Sequence, residues 1–231
     1  MPTQLIIADD HPLFRTALQQ TVLRLFPDST VVEAEDMASL ERAARLHRDT
    51  DLVLLDLHMP GAHGFSSLVY LRNEHPGTAV IVVSGAEGQA VVRRAMDFGA
   101  AGFIPKSAPL DTIGEAIKTV LDGGLWFGDD IESLDSTPDD IELIAKLSTL
   151  TAQQQRVLMM IADGLLNKQI AYTLEISEAT VKAHVTAILR KLGYYSRTQA
   201  AVMVERLQAH PPQVGSTDSG VAATRPSMPQ A

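Results

Sequence analysis

Five polar residues in the first half of the chain have the types and spacing to handle a phosphoryl group. They are three acids, a hydroxyl and an ammonium group: Asp9, Asp10, Asp56, Ser84 and Lys106. Carboxylates held close together repel one another, so a divalent cation such as Mg²⁺ favours their assembly. An aspartate beside such a cation can accept a phosphoryl group directly, because the metal, the lysine and the hydroxyl group stabilise the charged oxygens. Asp56 is therefore the candidate nucleophile.

Four short apolar runs must position these side chains. Residues 5–8, 52–55, 80–83 and 102–105 each end directly before one or two of the polar residues. Runs of this length that alternate with helical patterns predict the buried strands of a parallel sheet, whose carboxyl ends meet at one edge. Any single polar residue also fits a strand that simply ends at the surface. The combination favours a shared crevice.

The first segment, residues 1–121, repeats a strand and a helix five times. Strands are predicted near 4–9, 30–34, 51–56, 79–84 and 101–104, and helices near 12–25, 37–47, 64–73, 87–98 and 109–121. This alternation predicts an α/β flavodoxin-like fold, which is a five-stranded parallel sheet that binds ligands at the carboxyl ends of its strands.

The composition bounds the class of protein. The chain has 231 residues, of which 45% are hydrophobic, and this suffices for two modest domains. It contains no cysteine, which excludes a disulfide framework and a thiolate metal site. No apolar run approaches the length that spans a membrane, and the N-terminus lacks the pattern of a signal peptide. We therefore expect a cytoplasmic protein that does not bind a membrane.

The net charge of −9 is unevenly distributed along the chain. Residues 148–207 carry seven Lys and Arg against four Asp and Glu, whereas residues 122–147 carry one against eight. Only the basic segment has the sign that a nucleic-acid backbone attracts. Glycines and like charges in residues 122–147 predict a linker with a short helix near its end. The Pro-, Ser- and Gly-rich residues 208–231 predict a disordered tail.

The basic segment has the pattern of a small helical domain. Thr151 predicts a capped helix that ends at Gly164, Asn167 is placed to cap a second helix, and Ser177 is placed to cap a third. The third helix has an apolar side and a polar, basic side, and a final helix is predicted near 197–207. A helix-turn-helix, whose second helix lies in the DNA major groove, fits this pattern. An ordinary helical bundle with a solvated polar face fits it equally well.

Motifs in the first segment resemble the receiver domains of bacterial two-component response regulators. The motifs are Ala8-Asp9-Asp10-His11-Pro12, Asp56-Leu57-His58-Met59-Pro60-Gly61, Ser84-Gly85-Ala86 and Gly99-Ala100-Ala101-Gly102-Phe103-Ile104-Pro105-Lys106. The resemblance implies that Asp56 is the phosphoacceptor. It implies that Mg²⁺ is held by four groups: Asp9, Asp10, Asp56 and the backbone carbonyl of His58. It also gives a phosphate-binding lysine, a switch hydroxyl and an aromatic ring that turns inward on phosphorylation: Lys106, Ser84 and Phe103.

Motifs in the basic segment look like the LuxR-type DNA-binding domain. They include Asn167-Lys168-Gln169-Ile170-Ala171, Ile176-Ser177-Glu178-Ala179-Thr180-Val181-Lys182-Ala183-His184-Val185 and Ile188-Leu189-Arg190-Lys191-Leu192-Gly193. With the receiver motifs, they make the chain similar to the NarL/FixJ family of transcriptional regulators almost from end to end. The resemblance places three residues in the major groove: Lys182, Ala183 and Thr186. Four others would contact DNA phosphates: Thr180, Lys191, Arg197 and Lys168.

These resemblances imply a phosphorylation-controlled transcriptional regulator. Residues 1–121 would be the receiver domain, 122–147 the linker and 148–207 the helix-turn-helix DNA-binding domain. A histidine kinase would phosphorylate Asp56, and the protein would bind double-stranded DNA as a homodimer that forms on phosphorylation or DNA binding. The change at Asp56 would uncover the recognition helix, promote dimerisation, or both.

Two other functions stay open from the sequence. A receiver that works without phosphorylation would still regulate DNA binding, although the complete set of acids, hydroxyl and lysine counts against it. A phosphotransferase of the haloacid-dehalogenase kind also phosphorylates an aspartate, but it carries a second Asp two residues later as general acid. His58 occupies that position here, so we expect no enzymatic turnover beyond slow autodephosphorylation.

Overall fold

A computed structural model describes residues 3–86, 88–127, 138–205 and 207 of the chain. The N-terminal domain alternates strands and helices in this order: β1 Gln4–Ala8, α1 Pro12–Leu25, β2 Thr30–Ala34, α2 Met37–Leu46, β3 Leu52–Leu55, α3 Ser66–Glu74, β4 Ala79–Ser84, α4 Gln89–Asp97, β5 Gly102–Pro105 and α5 Leu110–Leu121. Each bound lies within about two residues of the predicted one, because the apolar runs and the helical patterns are both strong. The predicted five repeats of strand and helix are confirmed.

The five strands form one parallel sheet in the order β2-β1-β3-β4-β5. Its three central strands are buried on both faces, and alternate residues belong to two different apolar clusters. Ile6 and Val53 lie in one cluster, whereas Leu5 and Leu52 lie in the other, as the two-residue period of a strand requires. The register pairs Ala8 with Leu55, so the residues after β1 and β3 come out side by side.

The C-terminal part is helical and contains α6 Pro138–Ser148, α7 Ala152–Ala162, α8 Asn167–Leu174, α9 Glu178–Leu192 and α10 Arg197–Glu205. The predicted caps of α7 and α9 are confirmed. The Gln154 backbone N–H donates to Thr151 Oγ1 at 3.3 Å, and the Thr180 backbone N–H donates to Ser177 Oγ at 3.1 Å. Gly164 follows α7 with a φ of +77°, a conformation that glycine adopts without strain.

The predicted cap of α8 was wrong by one residue. Asn167 is the first helical residue, and Leu166 occupies the N-cap position. The Leu166 backbone N–H is satisfied by Gln169 Oε1 at 2.7 Å, so the turn does not need a polar cap side chain. The Asn167 Oδ1 instead accepts a hydrogen bond from Arg197 at 3.1 Å. A long-range contact therefore uses the side chain that local reasoning assigned to the helix end.

The short helix predicted near the end of the linker is confirmed as α6. Its residues Leu143 and Leu147 are buried, and the helix contacts α3 and α4 of the N-terminal domain as well as α9. Residues 128–137 of the predicted linker and the predicted disordered tail at 208–231 lie outside the described residues. Among the described residues, no helix is long and apolar enough to cross a membrane.

Candidate functional site

Four charged residues meet at the carboxyl edge of the sheet. Asp9 and Asp10 follow β1, Asp56 follows β3 and Lys106 follows β5. The Lys106 Nζ lies 2.8 Å from Asp56 Oδ2 and 2.8 Å from Asp9 Oδ2. Asp9 and Asp56 are each only 1% exposed, whereas Asp10 is partly exposed. The structure therefore brings together the three acids and the lysine that the sequence predicted to share one crevice.

The sheet backbone fixes these positions. The Asp56 N–H donates to the Ala8 carbonyl at 2.8 Å, and the Lys106 N–H donates to the Ser84 carbonyl at 2.8 Å. Both bonds extend the pairing of parallel strands by one residue beyond the strand ends. The Asp56 Oδ1 accepts a further bond from the His58 N–H at 3.1 Å. The carboxylate is consequently held in place before any ligand arrives.

Lys106 carries the compensating charge of the site. Burial by itself disfavours the ammonium form, but hydrogen bonds and charge interactions with Asp56 and Asp9 outweigh it and raise the pKa of Lys106 above its usual value. Lys106 is therefore positively charged at neutral pH. One ammonium group faces two buried carboxylates, so the cluster keeps a net negative charge that attracts a cation.

The acidic cluster has the donor set of a divalent cation site. One ligand atom from each of four residues lies within 4.8 Å of the others: Asp9, Asp10, His11 and Asp56. The three carboxylates fit Mg²⁺, which prefers oxygen ligands. His11 was not predicted as a site residue, although it stands next to the two acids in the sequence. The His58 Nδ1 is farther away, 3.9 Å from Asp56 Oδ1.

Ser84 and Phe103 also lie near this edge. Ser84 is the last residue of β4, is fully buried, and its Oγ accepts a hydrogen bond from the Ala86 N–H at 3.1 Å. Phe103 lies in β5 and is 5% exposed. The inward turn of Phe103 on phosphorylation stays a prediction.

The polar side of α9 is exposed to solvent. The residues that the resemblance places in the groove or on phosphates and that are exposed here are Lys168, Thr180, Lys182, Ala183 and Thr186. Within the described part of the chain, the N-terminal domain leaves this surface uncovered. Of the alternatives left open for the switch, uncovering the recognition helix, promoting dimerisation or both, this arrangement does not require the first.

Two other residues that were predicted to contact DNA phosphates make hydrogen bonds inside the helical domain. The Lys191 Nζ donates to the Thr149 carbonyl at 2.6 Å and to Gln154 Oε1 at 2.7 Å. Arg197 donates to Asn167 Oδ1 and to the Leu165 carbonyl. Lys191 and Arg197 therefore differ from the exposed residues of this surface, because they are partly buried and donate hydrogen bonds within the domain. Sequence reasoning missed these contacts because each joins residues at least 30 positions apart.

The loop after Asp56 contacts the helix-turn-helix region. The Phe65 N–H donates to the Leu207 carbonyl at 2.9 Å, and the His63 Nε2 lies 3.1 Å from Asp163 Oδ1. The Phe65 ring stacks on Phe98 with a centroid distance of 5.2 Å, which anchors the loop in the N-terminal core. One loop therefore carries the candidate nucleophile at its start and touches the second domain near its end.

An ion pair adds to this contact between the domains. The Arg156 Nε of α7 lies 3.1 Å from Glu41 Oε2 of α2, and the Glu41 side chain is 5% exposed. Burial raises the pKa of Glu41, whereas the nearby Arg156 and Arg45 act in the opposite direction. The buried Glu41 carboxylate therefore has one charged partner from its own helix, Arg45 at 3.6 Å, and a nearer one from the other domain.

Comparisons with known proteins agree with both halves of this geometry. The model of the response regulator receiver domain matches residues 5–118, and that of the luxR family of bacterial regulatory proteins matches residues 148–204. The glycerol metabolism activator of Pseudomonas putida is 42% identical over 85% of this chain and 92% of its own length. The nitrate/nitrite response regulator protein NarP of Escherichia coli K12 is 38% identical over 87% of this chain and 94% of its own length.

A solved structure shows the same fold. The structure of two RcsB dimers bound to two parallel DNAs covers 90% of this chain and 98% of its own, with a TM-score of 0.52 and 22% identity. Both domains, and the identity to full-length relatives, identify a DNA-binding response regulator. The chain therefore belongs to the NarL/FixJ family, which joins a receiver domain to a LuxR-type DNA-binding domain.

Proposed function

We propose that a histidine kinase transfers a phosphoryl group to Asp56 and that this transfer controls how the protein binds DNA and regulates transcription. The observation that carries the proposal is the cluster of Asp56, Asp9 and Lys106, with both ion-pair distances at 2.8 Å. Residues 1–121 act as the receiver domain, residues 122–147 as the linker and residues 148–207 as the DNA-binding domain. A protein that receives a phosphoryl group from a histidine kinase and binds DNA would work in the cytoplasm.

The transfer uses groups that are already in position. A carboxylate oxygen of Asp56 attacks the phosphorus of a phosphohistidine, the phosphorus–nitrogen bond breaks, and the imidazole of the kinase leaves. Lys106 and Ser84 bind the phosphoryl oxygens. Asp9, Asp10, Asp56 and the His58 carbonyl would hold Mg²⁺, which would neutralise part of the charge that is shared by donor and acceptor.

The phosphoryl group adds about −1.5 to −2 charge units at Asp56. Lys106 then has a stronger partner than Asp9, so the ion pairs at the sheet edge rearrange. The loop from Asp56 to Phe65 moves with them and weakens its contacts with Asp163 and Leu207. Because the recognition surface is already exposed, this release acts by freeing the C-terminal domain to form a homodimer on two half-sites of double-stranded DNA.

The exposed residues of the helix-turn-helix make the DNA contacts. Lys182, Ala183 and Thr186 lie in the major groove, whereas Thr180 and Lys168 contact phosphates. Lys191 and Arg197 can add phosphate contacts only through N–H groups that their internal hydrogen bonds leave unused. The protein is not an enzyme beyond slow hydrolysis of its own aspartyl phosphate.

Phosphorylation can be tested with a small phosphodonor such as acetyl phosphate. We expect the full-length protein to gain one phosphoryl group in the presence of Mg²⁺, visible as a shifted band in a Phos-tag gel and as a mass increase. Asp56→Asn should show neither change, whereas Asp49→Asn, which alters an exposed acid, should behave like the wild type. No uptake by the wild type would favour the alternative of a phosphorylation-independent regulator, and uptake by Asp56→Asn would show that another residue accepts the phosphoryl group.

A further inference from the structure

A cavity of about 170 Å³ lies between the N-terminal domain and the C-terminal helices. Its walls come from α2, α3 and the loop before α3 on one side, and from α6 and α7 on the other. Most of the side chains that line it are apolar, and they include three methionines: Met37, Met159 and Met160. The cavity therefore exists only while the two domains touch in this way, which we call the docked arrangement.

The charged side chains that line the cavity already have partners. Glu41 Oε2 lies 3.1 Å from Arg156 Nε. Asp163 Oδ1 lies 3.1 Å from His63 Nε2. Burial raises the pKa of Tyr70, which also lines the cavity, to about 12, so its hydroxyl group stays protonated at neutral pH. A charged ligand would have to break one of these pairs or lose its hydration without compensation. The cavity therefore favours a neutral ligand.

Gln155 offers an acceptor that the fold does not use. Its side chain lines the cavity and is 5% exposed, and within the described part of the chain its Oε1 accepts no hydrogen bond. A buried acceptor without a donor is unfavourable, so a ligand that donates to it relieves this cost. The last torsion of a glutamine side chain is soft, so a small rotation brings Oε1 to the cavity wall.

The size and the lining of the cavity match one aromatic ring. An engineered apolar cavity of about 150 Å³ in another protein binds benzene. Methionine sulfur packs favourably against aromatic rings, and the flexible side chain adapts to their shape. Met37 belongs to α2, whereas Met159 and Met160 belong to α7, so a ring between them contacts both domains.

We propose that this cavity binds a small neutral aromatic molecule with one hydrogen-bond donor, such as a phenol, and that the bound molecule stabilises the docked arrangement. A ligand whose site exists in only one arrangement shifts the equilibrium towards that arrangement. It therefore opposes the release of the C-terminal domain and weakens DNA binding. The effect on DNA rests on the proposed function, whereas the binding of the ligand does not.

Calorimetric titration of the full-length protein with phenol, toluene and benzoate tests the ligand class. We expect the wild type to bind phenol about tenfold more tightly than toluene, which has the same size but no donor. Benzoate should bind more weakly than phenol. Gln155→Met keeps the size of the side chain without its amide, and it should bind phenol and toluene equally. Gln153→Met, a matched change on the same helix, should behave like the wild type.

Nuclear magnetic resonance of carbon-13-labelled methionine methyl groups shows where phenol binds. Ring currents should shift the signals of Met159 and Met160, whereas the signal of Met96 in α4 should not move. In the presence of acetyl phosphate and Mg²⁺, saturating phenol should lower the affinity for DNA about fivefold, the lower end of coupling between two sites. Gln155→Met should show a smaller change at the same phenol concentration.

The outcomes separate the cavity from the proposed function. Failure of the wild type to bind phenol, equal binding of phenol and toluene, or tighter binding of benzoate overturns the ligand class. Phenol that binds in the cavity without lowering the affinity for DNA overturns its effect on docking. A DNA affinity that ignores acetyl phosphate overturns the proposed function and leaves the binding site standing. Circular dichroism shows whether Gln155→Met is folded, and if it is not, the comparison of phenol with toluene in the wild type decides alone.

Discussion

The phosphoryl site and the DNA-binding surface are built in opposite ways. Asp9, Asp56 and Lys106 come from the ends of three strands, are largely buried and depend on contacts between residues as far apart as 97 positions. The groove-facing residues Lys182 and Thr186 come from a single helix and are exposed. The first site is therefore a product of the whole fold, whereas the second needs only a correctly capped helix. Substitutions at the first site should therefore lower the stability of the fold, whereas substitutions at the second should lower the affinity for DNA.

The largest effect on stability is expected for Lys106→Met. The variant leaves Asp9 and Asp56 buried without their shared counter-charge, so we expect the free energy of unfolding to fall by about 2–3 kcal/mol. Urea denaturation without divalent ions measures this loss. Lys118→Met changes an exposed lysine of α5 and should stay within about 0.5 kcal/mol of the wild type. Equal effects of the two substitutions would show that the charge cluster is not important for folding.

The opposite behaviour is expected at the DNA-binding surface. Lys182→Ala removes an exposed cation, so the unfolding free energy should stay within about 0.5 kcal/mol of the wild type. The affinity for DNA should fall about tenfold, which corresponds to about 1.4 kcal/mol. Fluorescence anisotropy with a labelled duplex measures the affinity, and Lys118→Ala again serves as the control. A loss of stability without a loss of affinity would contradict the assignment of this surface.

The contact between the N-terminal domain and the C-terminal helices should depend on the ion pair of Glu41 and Arg156. Arg156→Ala removes the nearer of the two arginines beside the buried Glu41 carboxylate and leaves Arg45 at 3.6 Å, and we expect a loss of about 1–2 kcal/mol in unfolding free energy. Adding Glu41→Gln should recover part of this loss, because the uncompensated charge is then gone. Arg42→Ala, which removes an exposed arginine from the same helix as Glu41, gives the baseline. Strictly additive effects in the double-mutant cycle would rule out a coupling between the two residues.

The smallest effect is a pH dependence that comes from Glu41. Burial raises the pKa of Glu41 above the ordinary value of 4.5, so the folded protein holds this proton to a higher pH than the unfolded chain does. The corresponding stability is present below pH 4.5 and is lost as the pH rises through the raised pKa. Glu41→Gln should lack this loss, which a comparison of urea midpoints of both proteins at several pH values detects. Parallel pH profiles of the two proteins would mean that the pKa of Glu41 is not raised.

Much of this molecule could be predicted from local sequence patterns. The strands follow from short apolar runs, and the sharing of one edge by Asp9, Asp56 and Lys106 follows from the parallel arrangement. The caps at Thr151 and Ser177 depend on residues three positions apart, so they were also predictable. The bonds of Arg197 to Asn167 and of Arg156 to Glu41 join residues that only the tertiary fold brings together. No local pattern indicates them.

The internal contacts of Lys191 and the burial of Phe103 also depend on the tertiary fold, and no local pattern indicates them. Family resemblance predicts which residue types occur at a site, but the partner of a long side chain depends on the surrounding packing. For this reason the positions of the acids at the phosphoryl site were easier to predict than the partners of the long side chains. His11 is an intermediate case, because its place in the sequence was visible but the direction of its ring was not.

The central claim is that an aspartyl phosphate at Asp56 controls how the C-terminal domain holds DNA. The most direct measurement is the affinity for a DNA site recovered by genome-wide footprinting, taken with and without acetyl phosphate and Mg²⁺. We predict that the wild-type affinity rises about tenfold with the phosphodonor, a typical size for coupling between two sites, and that Asp56→Asn does not respond. An unchanged wild-type affinity, or an equal response of Asp56→Asn, would contradict the account.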